Sequence, residues 1–212
     1  MVLRLLTSIF FIVLFNLAVF SQSDSVICPL NCELKEGVYI SWSDFRMRNA
    51  LQKDLIVSDQ DKSAIDFYSK VLNEDKLTYS TSGSKNVIET KNIWGFCQNN
   101  VLHLNYEGHF YRVPLFGSIS YLIANVEVIT PAYYTPGYGM YGSGKTTEIR
   151  NFLMNYYDGR MKEFNMEEAE LLLSRDKELY AEYNALKRKK KKEQISRYIR
   201  KFNERNPIYF LK

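Results

Sequence analysis

Short segments of strand period, cut apart by Gly-, Asn- and Ser-containing gaps, fill residues 37–164, and this rhythm limits the fold more than any other feature of the sequence. Val38, Ile40 and Trp42 alternate with Tyr39 and Ser41, the period of a half-buried strand. Residues 77–80 and 86–90 flank Ser82-Gly83-Ser84, a hairpin loop containing Gly, and residues 93–97 and 101–106 flank Gln98-Asn99-Asn100. Residues 110–115 and 118–130 follow, with Gly108 and Gly117 as punctuation. Residues 148–157 and 160–164 surround Asp158-Gly159, a dipeptide suited to a type I′ turn because both positions tolerate positive φ. Such closely spaced turns predict an antiparallel meander or small barrel-like sheet rather than βαβ units. The 16 Tyr and 13 Phe among 212 residues suit aromatic packing on such a sheet. Ser43 is placed to cap a short helical turn through Asp44 and Phe45, while residues 50–75 are ambiguous, with a strand-like Leu55-Ile56-Val57 ahead of an Asp-rich connection.

The pattern changes at Asn165, which with Glu168 forms the signature of a capping box ahead of Ala169-Glu170-Leu171-Leu172-Leu173. Asp176 is placed to cap a second helix whose apolar face is Leu179, Tyr183 and Leu186. A later face consists of Ile195, Tyr198, Ile199 and Phe202, and Pro207 marks its end. Leu186 and Ile195 lie nine residues apart, which at about 100° per residue puts the two faces half a turn out of phase. Either the chain breaks within the intervening Lys run, or one straight helix buries opposite sides at its two ends. The expected class is therefore α+β, with a β-rich domain over residues 22–164 and a basic helical tail over residues 165–212, packed on the same domain.

The first residues set the expected compartment. Arg4 is the only charge before an apolar stretch over residues 9–20, and Ser21-Gln22-Ser23 follows, the three-part plan of a signal peptide cut after Ser21. With 46% apolar and 25% charged residues the rest of the chain is neither disordered nor collagen-like, and only this stretch is apolar enough to enter a bilayer. An extracytoplasmic protein of the periplasm or envelope, without a transmembrane helix after cleavage, is expected. Losing Arg4 lowers the formal charge of +4 by one, so the processed chain is mildly basic, with its cations concentrated in Lys187-Arg188-Lys189-Lys190-Lys191-Lys192. Cys28 and Cys32 are the natural disulfide pair in an oxidising compartment, two free thiols and a metal or redox role being the alternatives. Cys97 sits in an apolar stretch and reads as a small buried hydrophobe.

Residues 139–146 satisfy the phosphate-loop pattern G-x-x-x-x-G-K-[ST], with Gly139, Gly144, Lys145 and Thr146 in its fixed positions. A working phosphate loop leaves a buried parallel strand and enters a helix whose positive end faces the phosphates. Here Pro131, Pro136 and Gly137 precede the motif and an Asp-Gly hairpin follows it, so coincidence within a Gly/Tyr loop over residues 131–147 is the stronger reading and no nucleotide is expected. His103, Glu107 and His109 are the only His-bearing cluster, and a zinc site there is the weaker alternative to ordinary surface positions. No catalytic constellation, metal or cofactor is assigned. Partner binding falls instead to residues 187–192, whose charge suits an anionic envelope surface, and to Tyr133, Tyr134, Tyr138 and Tyr141, which can stack on a sugar or on an envelope protein. Export argues against a nucleic-acid partner.

Four stretches, Gly37-Val38-Tyr39-Ile40-Ser41-Trp42-Ser43-Asp44-Phe45, Ile93-Trp94-Gly95-Phe96-Cys97, Gly108-His109-Phe110-Tyr111-Arg112-Val113-Pro114 with Gly117-Ser118-Ile119, and residues 198–209, resemble recurring blocks of a family of exported proteins of Bacteroidota-type bacteria for which no activity is established. The resemblance implies an extracytoplasmic protein with a β-rich body and a basic helical tail, and carries over no catalytic residue. The expected function is an exported, non-enzymatic binding or structural protein of the cell envelope. A nucleotide-binding enzyme using residues 139–146, or a metal protein built on His103 and His109, are the alternatives.

Overall fold

Antiparallel pairing runs through the whole of the structure, a computed structural model that describes residues 25–28, 32–81, 83–130, 133–135, 139–141 and 144–211. The expected signal segment and Tyr138 lie outside the described residues. The strands are β1 (Ser25–Cys28), β2 (Gly37–Tyr39), β3 (Lys76–Thr81), β4 (Ser84–Glu89), β5 (Gly95–Gln98), β6 (Val101–Tyr106), β7 (His109–Arg112), β8 (Ile119–Thr130), β9 (Tyr133–Thr135), β10 (Gly139–Tyr141), β11 (Gly144–Asn155), β12 (Met161–Glu163) and β13 (Ile208–Leu211). The helices are α1 (Trp42–Arg46), α2 (Phe67–Val71), α3 (Met166–Leu173), α4 (Lys177–Asn184) and α5 (Arg188–Arg205). The two larger sheets have the orders β2-β5-β6-β7 and β12-β11-β8, and the pairs β3-β4, β9-β10 and β1-β13 complete the pairing.

Strand periodicity sorts the side chains into three stacked cores. Val38 and Phe96 face α2 and the β3–β4 hairpin, where Ile56, Phe67, Val71 and Leu77 are buried. On the other face of the same sheet, Leu102 and Leu104 of β6 meet Leu122, Ala124 and Val126 of β8 and Phe152 and Met154 of β11. The alternate residues Ile119 and Leu153 point the opposite way, onto Leu173, Leu179, Tyr183, Ile199 and Phe202 of the helical layer. Strands β8 and β11 thus carry a core on both faces near the body.

The sheets do not close into a barrel. Leu115 bridges Tyr121, an antiparallel contact that would zip β7 to β8, but the pairing goes no further. Val113 N bonds the carbonyl of Leu102 at 2.9 Å, turning β7 toward β6, while Tyr121 N bonds the carbonyl of Leu115 at 2.8 Å, turning that residue toward β8. Pro114 lies between the two and has no amide to give to either neighbour. The β7 and β8 edges splay apart from that point.

Several local expectations change for identifiable reasons. Ser41, not Ser43, caps α1, because it forms a reciprocal capping box with Asp44. Type I′ turns occur at Asn99-Asn100 (φ 53° and 58°) and Glu107-Gly108 (φ 52° and 87°), whereas at Asp158-Gly159 only Gly159 has positive φ, 67°. There the loop widens, Asn155 N bonding the carbonyl of Arg160 at 2.9 Å, because Tyr156 turns into the core and donates its hydroxyl to the carbonyl of Tyr209 at 2.8 Å. In residues 50–75, Ile56 makes an isolated bridge to Tyr79 behind a 3-10 turn at Lys53–Leu55, and the expected connection contains α2.

The helical expectations meet a clear resolution. Asn165 and Asp176 cap α3 and α4 by accepting from the amides of Glu168 and Leu179 at 2.8 and 3.1 Å. The phase conflict is relieved by a break: α4 ends at Asn184, Lys187 stands as the N-cap of α5, and the Lys run becomes the first turn of the new helix. The last segment is not a free tail, since beyond α5 the chain returns as β13 to pair with β1, Cys28 standing opposite Ile208 and Val26 opposite Phe210.

Candidate functional site

The first turn of α5 concentrates the positive charge. Lys187, Arg188, Lys189, Lys190 and Lys192 are exposed and make no ion pair among the described residues, and no acidic side chain lies in that turn. Lys191 departs from the run: its side chain is 15% exposed, and its Nζ lies 3.3 Å from Glu170 Oε1 and 2.6 Å from Asn184 Oδ1, above the Tyr183 ring. Lys201 and Arg205 are likewise engaged, with Glu182 and with Asp176 and Glu178. Past that turn the solvent face of this 18-residue helix, about 27 Å in length, is mixed in charge, with the exposed Glu193 and Glu204 beside the exposed Arg197 and Arg200. Helical period could have added these four to the sequence reading, which followed only the uninterrupted run. A helix N-terminus already carries partial positive charge, so the five free cations repel one another and the backbone dipole.

The phosphate-loop pattern does not take the form of a loop. Gly139 begins β10 opposite Thr135, while Gly144, Lys145 and Thr146 begin β11 opposite Thr130, Ile129 and Val128, and β11 continues as a strand to Asn155. Lys145 Nζ lies 3.0 Å from Glu127 Oε2 and Thr146 donates to the carbonyl of Val128 at 3.4 Å. No helix N-terminus follows the lysine, so the residues of the motif are not gathered around a phosphate position. The Gly/Tyr loop is correspondingly shorter than expected. It contains the β9–β10 hairpin, in which Tyr133 stands opposite Tyr141 and Tyr134 opposite Met140.

Cys28 and Cys32 are joined as a disulfide beside β1. Cys97 is buried and unbonded, and burial pushes its thiol up to about 12.

The histidines separate. Register places His103 opposite Arg112 and His109 opposite Tyr106, and because residues 103 and 106 differ in parity the two imidazoles lie on opposite faces of the β6–β7 ribbon. Among the described residues no three His, Cys, Asp or Glu side chains gather into a metal-holding group. His103 stacks parallel on Phe96 at 4.4 Å, and burial lowers its basicity, so the ring is held neutral. Its Nδ1 lies 3.2 Å from the carbonyl of Val101; since a carbonyl only accepts, Nδ1 carries the proton and Nε2 presents a lone pair.

A groove that has no counterpart in the sequence pattern opens where β7 and β8 splay. Tyr111 spans it, donating its hydroxyl to the carbonyl of Asn125 at 2.9 Å. His109, Tyr111 and Asn125 line two adjoining lobes of about 490 and 480 Å³. The first lobe adds Phe96, His103, Phe110, Ser69 and Asn73, and the second adds Glu107, Glu127 and Thr147. Ladder parity aims the amides and carbonyls of Phe110 and Arg112 away from β6, and those of Ile123, Asn125 and Glu127 away from β11, toward this seam. No periodicity reports such a site, because its residues come from α2, three strands of one sheet and two of another.

In comparisons with known proteins, no family model, no curated protein and no solved structure matches the chain.

Proposed function

We propose that this chain is an exported, non-catalytic binding protein of the cell envelope that holds an anionic surface through the first turn of α5. The observation that carries this reading is the crowding of Lys187, Arg188, Lys189, Lys190 and Lys192 at the positive end of a helix with no acid among them. Bringing phosphate or carboxylate groups against that turn relieves repulsion that folding alone leaves in place. The apolar leader in the sequence, the joined Cys28 and Cys32, and the resemblance to exported proteins of Bacteroidota-type bacteria support the extracytoplasmic setting. No helix among the described residues is long and apolar enough to cross a membrane, so attachment on this reading is peripheral.

Fractionation of the native protein, with its intact mass, tests both halves of the proposal. A processed chain that pellets with membranes and is released by high salt is expected, because screening shortens electrostatic reach to about 3 Å at 1 M salt. Replacing the five exposed cations by Gln should raise the melting temperature or leave it unchanged, since it removes their mutual repulsion, while abolishing co-sedimentation with anionic phosphatidylglycerol vesicles. Retention of the leader with the body in the cytoplasm, salt-insensitive attachment, or turnover of a substrate by the purified protein overturns the reading.

A further inference from the structure

The groove between β7 and β8 shares no lining residue with the cationic turn and has a different chemistry. We propose that it is a second binding site, for an uncharged saccharide, with sugar rings on either side of the Tyr111 strut and their hydroxyls bonded to Asn125, His109 and the seam-facing backbone.

The composition of the lining selects the ligand class. In a chain with 25% charged residues, the first lobe contains no Asp, Glu, Lys or Arg. Wrapping the β7 edge, it offers the Phe110 and Tyr111 rings, the Asn73 and Asn125 amides, the Ser69 hydroxyl and, one from each face of the β6–β7 ribbon, the imidazoles of His103 and His109. Aromatic faces beside amides and hydroxyls suit a molecule with both C–H faces and hydroxyl edges, because the faces shed water onto the rings while each hydroxyl finds a donor or acceptor. Neutral His103 contributes an acceptor at Nε2, which has no partner among the described residues. The second lobe contributes Glu107 and Glu127, acceptors for hydroxyl protons. Glu127 is paired with Lys145 at 3.0 Å, and Glu107 gives the lobe no attraction for an anion, which separates this site from the surface-binding turn of α5.

The open edges add to the argument. Unpaired strand backbone is a row of donors and acceptors that must be satisfied by water or by a ligand. An inserted peptide strand is the other occupant such a seam suggests. The Tyr111–Asn125 bond, 2.9 Å, opposes it, since that phenol already occupies the Asn125 carbonyl, an acceptor that an added strand would need for its ladder. Sugar rings joined by a glycosidic linkage need no bond in register at that carbonyl, so they fit the two lobes without breaking the strut.

The test titrates the native protein, labelled for amide NMR, with maltotriose, cellotriose, mannotriose and chitotriose in turn. At least one is expected to shift the resonances of Phe110, Tyr111 and Asn125 with a dissociation constant of about 1 mM or tighter. Asn125→Ala and His109→Ala, both at exposed positions, are each expected to weaken that binding about tenfold with unchanged thermal unfolding; Lys190→Gln should leave it intact. Absence of any shift with all four sugars overturns the proposal, as does binding that ignores both substitutions. So does a capped Thr-Val repeat peptide that shifts the same resonances when the sugars do not, which would assign the seam to strand addition.

Discussion

Asn203, in the last turn of α5, and Ile119, the first residue of β8, exchange two hydrogen bonds of 2.8 Å: the side-chain amide donates to the Ile119 carbonyl and its oxygen accepts the Ile119 amide. Both residues are buried. A side chain thereby imitates a neighbouring strand and locks the helical layer to the sheet at the point where β8 begins. Gly117 lies beneath this contact, where a Cβ would come within 2.5 Å of the Asn203 amide. Ser118 reinforces it by donating its hydroxyl to the Asn206 carbonyl.

Asn203→Leu keeps the branched side-chain skeleton and removes both bonds, leaving a buried amide and carbonyl without partners. The expected loss is about 2–4 kcal/mol, read as a lower urea midpoint with an unchanged slope. Gly117→Ala should produce a loss of the same kind by displacing Asn203, and an effect of either substitution within experimental error would refute the locking role.

Gly159→Ala combines two penalties. Its φ is 67°, and a Cβ would stand 2.6 Å from the Trp42 ring. A loss of at least about 1–2 kcal/mol is expected, accompanied by a shift in tryptophan emission as the indole moves. Urea unfolding followed by fluorescence measures both effects together.

Tyr183→Phe is expected to be neutral or stabilising. The Tyr183 hydroxyl is buried in the helical core and has no hydrogen-bond partner among the described residues, while the ring packs on Tyr198 at 5.0 Å. Removing an unsatisfied hydroxyl and keeping the ring costs no partner its bond. A fall in melting temperature on this substitution would mean that an ordered water completes the site.

Alkali should unfold the protein through its buried acids. Burial pushes the phenols of Tyr68, Tyr156 and Tyr183 from 10.0 up to about 12 and the Cys97 thiol from 9.0 up to about 12, and raises Tyr39 as well. These folded values lie above the unfolded ones, so the unfolded chain loses protons first. The stability they confer is complete below about pH 9 and is lost as the pH climbs toward about 12. Urea midpoints should therefore fall steeply above about pH 10, and the Cys97 thiol should stay silent to thiol reagents at neutral pH until denaturant opens the core.

Much of the local structure could be read from the residues themselves. The Asn165 and Asp176 caps, the β3–β4 and β5–β6 hairpins, and the buried faces of Leu179 with Tyr183 and of Ile195 with Phe202 all follow from side chains acting within a few residues of their own position. The out-of-phase helical faces require either a break or a reversal of burial, and the break between Asn184 and Arg188 is what the structure contains. Other signals misled because tertiary contacts outweighed them. Asp158-Gly159 has favourable turn chemistry, but the core takes Tyr156 and widens the loop. His103 and His109 are six residues apart, an even spacing in a single strand, and the turn at Glu107-Gly108 reverses the parity and separates them.

By itself the sequence determined the α+β class, the antiparallel pairing and the cationic run, because caps, turns, alternation and charge are local properties written into neighbouring residues. Only the tertiary structure decided that β1 and β13 pair across nearly the whole length of the chain, that Asn203 reaches Ile119, and that β7 and β8 part to leave a groove bridged by Tyr111. Those outcomes depend on competition between distant surfaces for the same buried volume and on which backbone edge finds a partner first filled by another strand. Neither quantity is a property of any stretch of sequence short enough to carry a period.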